Sequence, residues 1–191
     1  DVYKRQVESF VSKNALKRSD KLVIEATQLI MGNLELAYAD GSDLQARQNM
    51  ARAAYLAGKA FTQVGLGYVH AIAHNFGALY HIPHGRANAM IMPYVLDYSL
   101  PACAERLAIL ARACDIGEAG ADDYSLAKSF IAQIRAMNKK FGIAEKVEEL
   151  RREDIRRIAK AARDEARFTY AVPRYMTHEQ CEELIARMLP D

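Results

Sequence analysis

Residues 65–99 read GLGYVHAIAHNFGALYHIPHGRANAMIMPYVLDYS, and they hold four of the five histidines of the 191-residue chain. His70 and His74 are four residues apart, which places them on one face of a helix. Pro83 favours an extended conformation at Ile82, and Gly85 permits a turn, so His84 is expected at the start of the next helix, on a chain that has doubled back. The spacing therefore predicts that three imidazoles converge from one helix–turn–helix.

Apolar residues recur every three or four positions through most of the chain, which is typical of amphipathic helices. In the segment 19–40, Ser19 or Asp20 is expected to cap the N-terminus of a helix, and Gly41 to end it. The charged run EKVEELRREDIRRIAKAARDEAR, residues 145–167, has the pattern of a solvated helix face.

Two pairs, Ser42 with Gln45 and Thr177 with Gln180, have the spacing of a capping box at a helix N-terminus. Pro93 is expected to kink its helix or end it early. Alternating strand patterns and internal repeats are absent from the sequence. The sequence predicts an all-α helical bundle, with further helices near 65–80, 86–99, 102–115, 123–140 and 152–167.

Composition excludes several classes of partner. The chain has 26 Lys and Arg against 24 Asp and Glu, a net charge of +2, so no basic excess indicates nucleic acid. No apolar run reaches the roughly 18 residues that a membrane span needs. Three cysteines without a CxxC pair fit a reducing compartment, and we expect a cytoplasmic protein.

The first six residues, DVYKRQ, look like the in-frame translation of a transposon-end sequencing adapter. We expect residues 1–6 to be a scar of this kind and residues 7–191 to form one helical metal-binding domain. The sequence has no glycine-rich phosphate loop followed by a helix, so a nucleotide-binding domain is absent from it.

Neutral imidazole is the commonest protein ligand of divalent transition metals. A pair such as His70 and His74 is more often two hydrogen-bonded core residues than a metal site, and it lacks the glutamate of an H-E-x-x-H motif. His84 between Pro83 and a glycine strengthens the metal interpretation. His81 and His178 are expected to face solvent.

The segment 67–89 closely resembles the signature of the iron-containing (group III) alcohol dehydrogenases, G-x-x-H-x-x-A-H-x-x-G-x-x-x-x-x-P-H-G-x-A-N-A, with every fixed position met. The likeness runs from about Val7 to the C-terminus. VESFVSKNA at 7–15, DGSDLQAR at 40–47 and VPRYMT at 172–177 are also similar to segments of that family.

The resemblance implies a C-terminal helical domain like those of iron-containing alcohol dehydrogenases and dehydroquinate synthases. In the family, a metal lies between this domain and an N-terminal domain that binds NAD or NADP, held by an Asp and three His. Two of these ligands match His70 and His84, and the metal is Fe²⁺ or Zn²⁺. His74 matches a residue that moves the alcohol proton. Phe61 and Phe168 match positions of the substrate-pocket wall.

The remaining ligands of the family come from a D-x-x-x-H motif, and here that place reads DVYKR. Asp1 lines up with the aspartate, a match we attribute to chance, whereas Arg5 lines up with the histidine. Arginine is always cationic and cannot ligate a metal. We therefore expect the chain alone to bind metal weakly and to be inactive.

The implied reaction is reversible hydride transfer between a small alcohol and NAD(P), with an aldehyde or ketone as product. The resemblance also allows a homodimer. Two alternatives stay open at this point. One is a metal-dependent lyase like dehydroquinate synthase, which shares the architecture. The other is a non-catalytic helical dimerisation module, which fits the lack of a nucleotide site.

Overall fold

The computed structural model describes residues 2–190, and within that range the chain is all-α, as the sequence predicts, with no β-strand. A 3₁₀ turn at Arg152–Asp154 precedes the seventh helix. The helices are α1 Val2–Val11, α2 Lys17–Ala39, α3 Leu44–Val64, α4 Tyr68–Tyr80, α5 His84–Ala113, α6 Asp123–Lys140, α7 Ile155–Thr169 and α8 His178–Ala186.

The helices enclose a main apolar core, and a second, smaller apolar cluster lies between α2 and α3. Helix α2 packs along α3, α5 packs along α6, and α4 lies between α5 and α7. Helix α1 crosses α2, α3 and α5. Phe10, Phe76 and Phe130 are among the largest fully buried side chains of the core. None of the helices in residues 2–190 combines the length and apolar character that crossing a bilayer requires.

The first half of helix α4 is buried, and the helix packs against α5 and α7. All residues from Tyr68 to Ala73 are buried, and so is Phe76. The helix ends at His81, which adopts the left-handed conformation with φ 56°. Pro83 then occupies the N-cap of α5. This is the helix–turn–helix that the histidine spacing predicts.

The predicted ends of α2 are wrong. The helix begins at Lys17 after the N-cap Leu16, and the hydroxyl of Ser19 accepts the N–H of Leu16. Asp20 binds the guanidinium of Arg106 on α5 instead of capping. The helix ends at Ala39, and Gly41 does not adopt a positive φ. The ion pair with Arg106, which is distant in sequence, explains why the carboxylate of Asp20 does not cap the helix.

One predicted capping box is wrong and the other is confirmed. Helix α3 is capped by Asp43, whose side chain accepts the N–H of Ala46, whereas Ser42 hydrogen-bonds to Asp40. Asp43 lies one residue closer to the helix and carries the stronger acceptor. Before α8, Thr177 forms the predicted box with the third residue of the helix.

The prediction that Pro93 kinks or ends its helix is also wrong. The helices expected at 86–99 and 102–115 correspond to the two segments of α5, which are separated by a kink at Cys103 and not at Pro93. Because Pro93 has no N–H, it cannot donate to the carbonyl of Ala89. The side-chain amide of Asn138 on α6 donates to that carbonyl instead, at 2.7 Å, which lets the helix continue.

Residues 2–6, which the sequence analysis interprets as part of an adapter scar, form the start of helix α1. Gln6 is fully buried, and its amide donates to the hydroxyl of Thr27 on α2 at 3.0 Å. The origin of these six residues stays a prediction, since their packing does not reveal it. Asp1 lies outside the described residues.

Asn138→Ala is expected to lower the free energy of unfolding by about 1–3 kcal/mol, because the buried carbonyl of Ala89 loses its donor. Pro93→Ala supplies a backbone N–H that can reach the same carbonyl. The loss should therefore be smaller in the Pro93→Ala background, as measured by urea unfolding of the four proteins. Equal losses in both backgrounds would contradict this role of Asn138.

Candidate metal centre

Three imidazole rings come together, two from the first half of α4 and one from the first residue of α5. The ring centroids of His70 and His84 are 5.4 Å apart, those of His74 and His84 5.6 Å, and those of His70 and His74 6.2 Å. This is the convergence that the sequence spacing predicts. The remaining histidines, His81 and His178, are exposed, as expected.

The three rings differ in their access to solvent. His70 is completely buried, His84 is partly buried, and the side chain of His74 is 43% exposed. The cluster is therefore closed on the side of the core and open on the side of His74. A small molecule can approach it from that open side.

His70 is held by a carboxylate that the sequence analysis missed. Its Nδ1 hydrogen-bonds to Oε2 of Glu8 on α1, while Oε1 of Glu8 accepts the backbone N–H of Val69 at 2.8 Å. The other ring nitrogen, Nε2 of His70, is buried and has no hydrogen-bond partner. A buried imidazole nitrogen without a partner is an available donor atom for a metal.

His74 is paired with a second carboxylate that was missed. Its Nδ1 lies 2.9 Å from Oε1 of Glu165 on α7, and the hydroxyl of Tyr170 donates to the same oxygen at 2.7 Å. Burial, then the hydrogen bond and charge of Glu165, raise the pKa of Tyr170 well above its usual value, so the hydroxyl stays a donor. Glu165 belongs to the run 145–167, in which a solvated face was predicted.

The surroundings of His84 disfavour its protonated form. Burial lowers its pKa first, and the charges of His70, His74 and Arg5 lower it further. The amide of Asn88, one turn along α5, donates to the backbone carbonyl of His84 at 2.8 Å. A neutral imidazole keeps the lone pair that ligation requires.

Arg5, at the position aligned with a family ligand, brings a cation to the site. Its guanidinium carbon lies 5.0 Å from the ring centroid of Phe61 on α3, and its charge acts on His84. Phe168 is 81% exposed on α7, and its described ring contact is with the guanidinium of Arg167.

The donor chemistry of this site fits part of a metal centre. Residues 2–190 contain no cluster of three or more His, Cys, Asp or Glu side chains arranged to hold an ion. His70 and His84 fit as two nitrogen donors, because imidazole suits divalent transition metals and the Nε2 of His70 is unpartnered. The positive charge of Arg5 opposes a divalent ion at this place.

Comparison with known proteins gives a consistent set of relatives. The family model described as "Fe-containing alcohol dehydrogenase family, C-terminal" matches residues 1–189. The 1,3-propanediol dehydrogenase of Klebsiella pneumoniae is 41% identical over 150 residues, which cover 78% of this chain and 39% of that protein. The NAD-dependent methanol dehydrogenase of Bacillus methanolicus is 35% identical over 191 residues, covering 99% of this chain and 50% of that protein.

Solved structures agree with the fold. A 1,3-propanediol oxidoreductase superposes with a TM-score of 0.92 at 35% identity, covering 99% of this chain and 50% of that chain. The alcohol dehydrogenase from Oenococcus oeni superposes equally well, with a TM-score of 0.92 at 34% identity, covering 98% of this chain and 49% of that chain. The chain thus spans about half the length of these relatives or less.

Proposed function

Because the chain belongs to the iron-containing alcohol dehydrogenase family, we propose that it is the metal-binding C-terminal part of an NAD(P)-dependent enzyme that interconverts alcohols with aldehydes or ketones. One observation carries this proposal. The ring of His70 is fully buried, its Nε2 has no partner, and the ring of His84 lies 5.4 Å away. A core histidine with a purely structural role would have both nitrogens satisfied.

His70 and His84 are the proposed metal ligands within this chain. When bound, the divalent ion supplies Lewis-acid polarisation of the substrate oxygen, and the nicotinamide supplies the hydride acceptor. The family description favours Fe²⁺. Zn²⁺ accepts the same imidazole donors, so the ligand type leaves both metals in the proposal.

His74 is the proposed proton carrier. Its side chain is exposed on the open side of the cluster, where an alcohol can reach it. The carboxylate of Glu165 binds Nδ1 and stabilises the imidazolium that forms when Nε2 takes a proton. The hydroxyl of Tyr170 fixes that carboxylate. This arrangement supports proton transfer between His74 and the alcohol oxygen.

Phe61 and Phe168 are the proposed walls of the substrate pocket. The ring of Phe61 contacts the guanidinium of Arg5. Phe168 presents a largely exposed ring, which can form an apolar wall for the carbon chain of a substrate. A small alcohol or aldehyde is the substrate class that these two rings suit.

We further propose that residues 7–191 form the metal-binding domain and that this chain alone is inactive. The cation of Arg5 near the proposed ligand His84 supports inactivity. Three cysteines without disulfide bonds, Cys103, Cys114 and Cys181, support a cytoplasmic location. The family match favours a dehydrogenase over a lyase of the dehydroquinate synthase type.

Arg5→His is expected to tighten the binding of Zn²⁺ to the purified chain by about tenfold or more, because it replaces a repelling cation with a neutral donor. Competition with a chromophoric chelator measures the affinity. Arg5→Lys is the matched control, since it keeps the charge and supplies no ligand. Equal affinities of the His and Lys variants would show that position 5 lies outside the metal site.

The enzymatic test uses a chimera. In it, residues 7–191 replace the segment of the Klebsiella pneumoniae 1,3-propanediol dehydrogenase that they match. The chimera is expected to oxidise 1,3-propanediol with NAD, whereas the chain alone stays at background. In the chimera, His74→Asn should lower kcat by about 10²- to 10⁴-fold, because the proton carrier is lost.

His81→Asn is the matched control for that experiment. His81 is exposed, and Asn tolerates its left-handed conformation. It should leave kcat of the chimera unchanged. A chimera whose rate is equally insensitive to both substitutions would contradict the role of His74, and turnover by the chain alone would contradict its proposed inactivity.

A further inference from the structure

Glu8 is a buried carboxylate whose two oxygens both serve the first turn of α4. Its side chain is 5% exposed, and it lies on α1, in the sequence VESFV. Oε1 accepts the N–H of Val69, and Oε2 binds Nδ1 of His70. Burying an ionised carboxylate costs on the order of several kcal/mol unless hydrogen bonds or an opposite charge compensate for the lost water. Such a residue needs a specific role.

Part of that role is to complete the N-terminus of α4. The N-cap residue Gly67 has no side chain, so it cannot bind the free N–H groups of the first turn. Glu8 supplies the missing acceptor from another helix, and its negative charge lies near the positive end of the helix dipole.

Gly67 also leaves the space that the carboxylate occupies. A Cβ at position 67 would lie 2.8 Å from Oε1 of Glu8 and 3.6 Å from Cγ1 of Val172. The backbone of Gly67 is extended, with φ −164°, so any residue could adopt it. The missing side chain at position 67, and not its backbone conformation, is therefore what gives Glu8 room to approach the helix this closely.

Capping α4 does not explain the second bond, from Oε2 to His70. An ionised carboxylate only accepts hydrogen bonds, so the ring must present N–H at Nδ1. The neutral ring then carries its lone pair on Nε2, the buried atom without a partner. The contact with Glu8 thus selects both the orientation of the ring and its tautomer.

We propose that Glu8 is a positioning residue for the metal centre, which holds His70 as the Nδ1–H tautomer so that Nε2 is the ligating atom. This inference rests on the proposed function, which assigns a divalent metal ion as the partner of Nε2. A carboxylate behind a ligating histidine fixes the ring and raises its basicity, and its loss typically weakens metal binding by about 10- to 100-fold.

The test uses a conservative variant that separates capping from positioning. In Glu8→Gln, the amide oxygen can still accept the N–H of Val69, but the amide NH₂ faces Nδ1 of His70 and makes it an acceptor. The proton of the ring is then expected on Nε2. Long-range ¹H–¹⁵N spectra of the metal-free, ¹⁵N-histidine-labelled chain should show Nδ1–H for His70 in the wild type and Nε2–H in the variant.

The second readout is the affinity for Zn²⁺, measured in the chain carrying Arg5→His. Glu8→Gln should weaken it by about 10- to 100-fold, with thermal stability retained. Glu25→Gln is the matched control, because it makes the same charge change in an exposed ion pair with Arg52. It should leave the affinity unchanged. Gly67→Ala, which crowds the carboxylate, should weaken binding in the same direction as Glu8→Gln.

The outcomes separate the two proposals. A wild-type His70 that carries its proton on Nε2 would overturn the role of Glu8, whether or not Glu8→Gln folds. Unchanged affinity in both Glu8→Gln and Gly67→Ala would overturn it as well. Absence of Zn²⁺ binding in every variant would instead overturn the proposed metal function, and the tautomer spectra would still decide what Glu8 does to the ring.

Discussion

The burial of the first half of α4 is the constraint on which the site depends. This apolar segment packs into the core and takes His70 with it, to a place where each polar atom needs a partner. Glu8 satisfies one ring nitrogen and leaves the other open. The turn at His81 then returns the chain so that His84 faces the same ring.

The parts of this arrangement set by neighbouring residues could be predicted from the sequence. The four-residue spacing of His70 and His74, followed by Pro83, was sufficient to predict the helix, the turn and the convergence of the rings. Glu8 and Glu165 could not be found in this way, because they lie 62 and 91 residues from their histidines. A lone carboxylate inside the apolar pattern VESFV was the available signal for Glu8.

The errors at helix ends have the same physical origin. Rules that consider only neighbouring residues predict a capping role for Asp20 and a kink at Pro93. Contacts with residues distant in sequence determine the structure at both positions. Arg106 engages the carboxylate of Asp20 from α5, and Asn138 supplies from α6 the hydrogen bond that Pro93 cannot make. Local propensity therefore predicts which segments are helical better than it predicts where each helix begins and ends.

The two carboxylate–histidine pairs differ in chemistry because they differ in burial. In both pairs the carboxylate binds Nδ1, so Nε2 is the nitrogen that faces away from it. His70 is completely buried, however, while the side chain of His74 is 43% exposed. A buried ring held in one orientation suits the proposed role of a fixed ligand. An accessible ring backed by a carboxylate can accept a proton and release it, which suits the proposed acid–base role. The same pairing thus supports two proposed roles, which differ in the depth of each ring in the bundle.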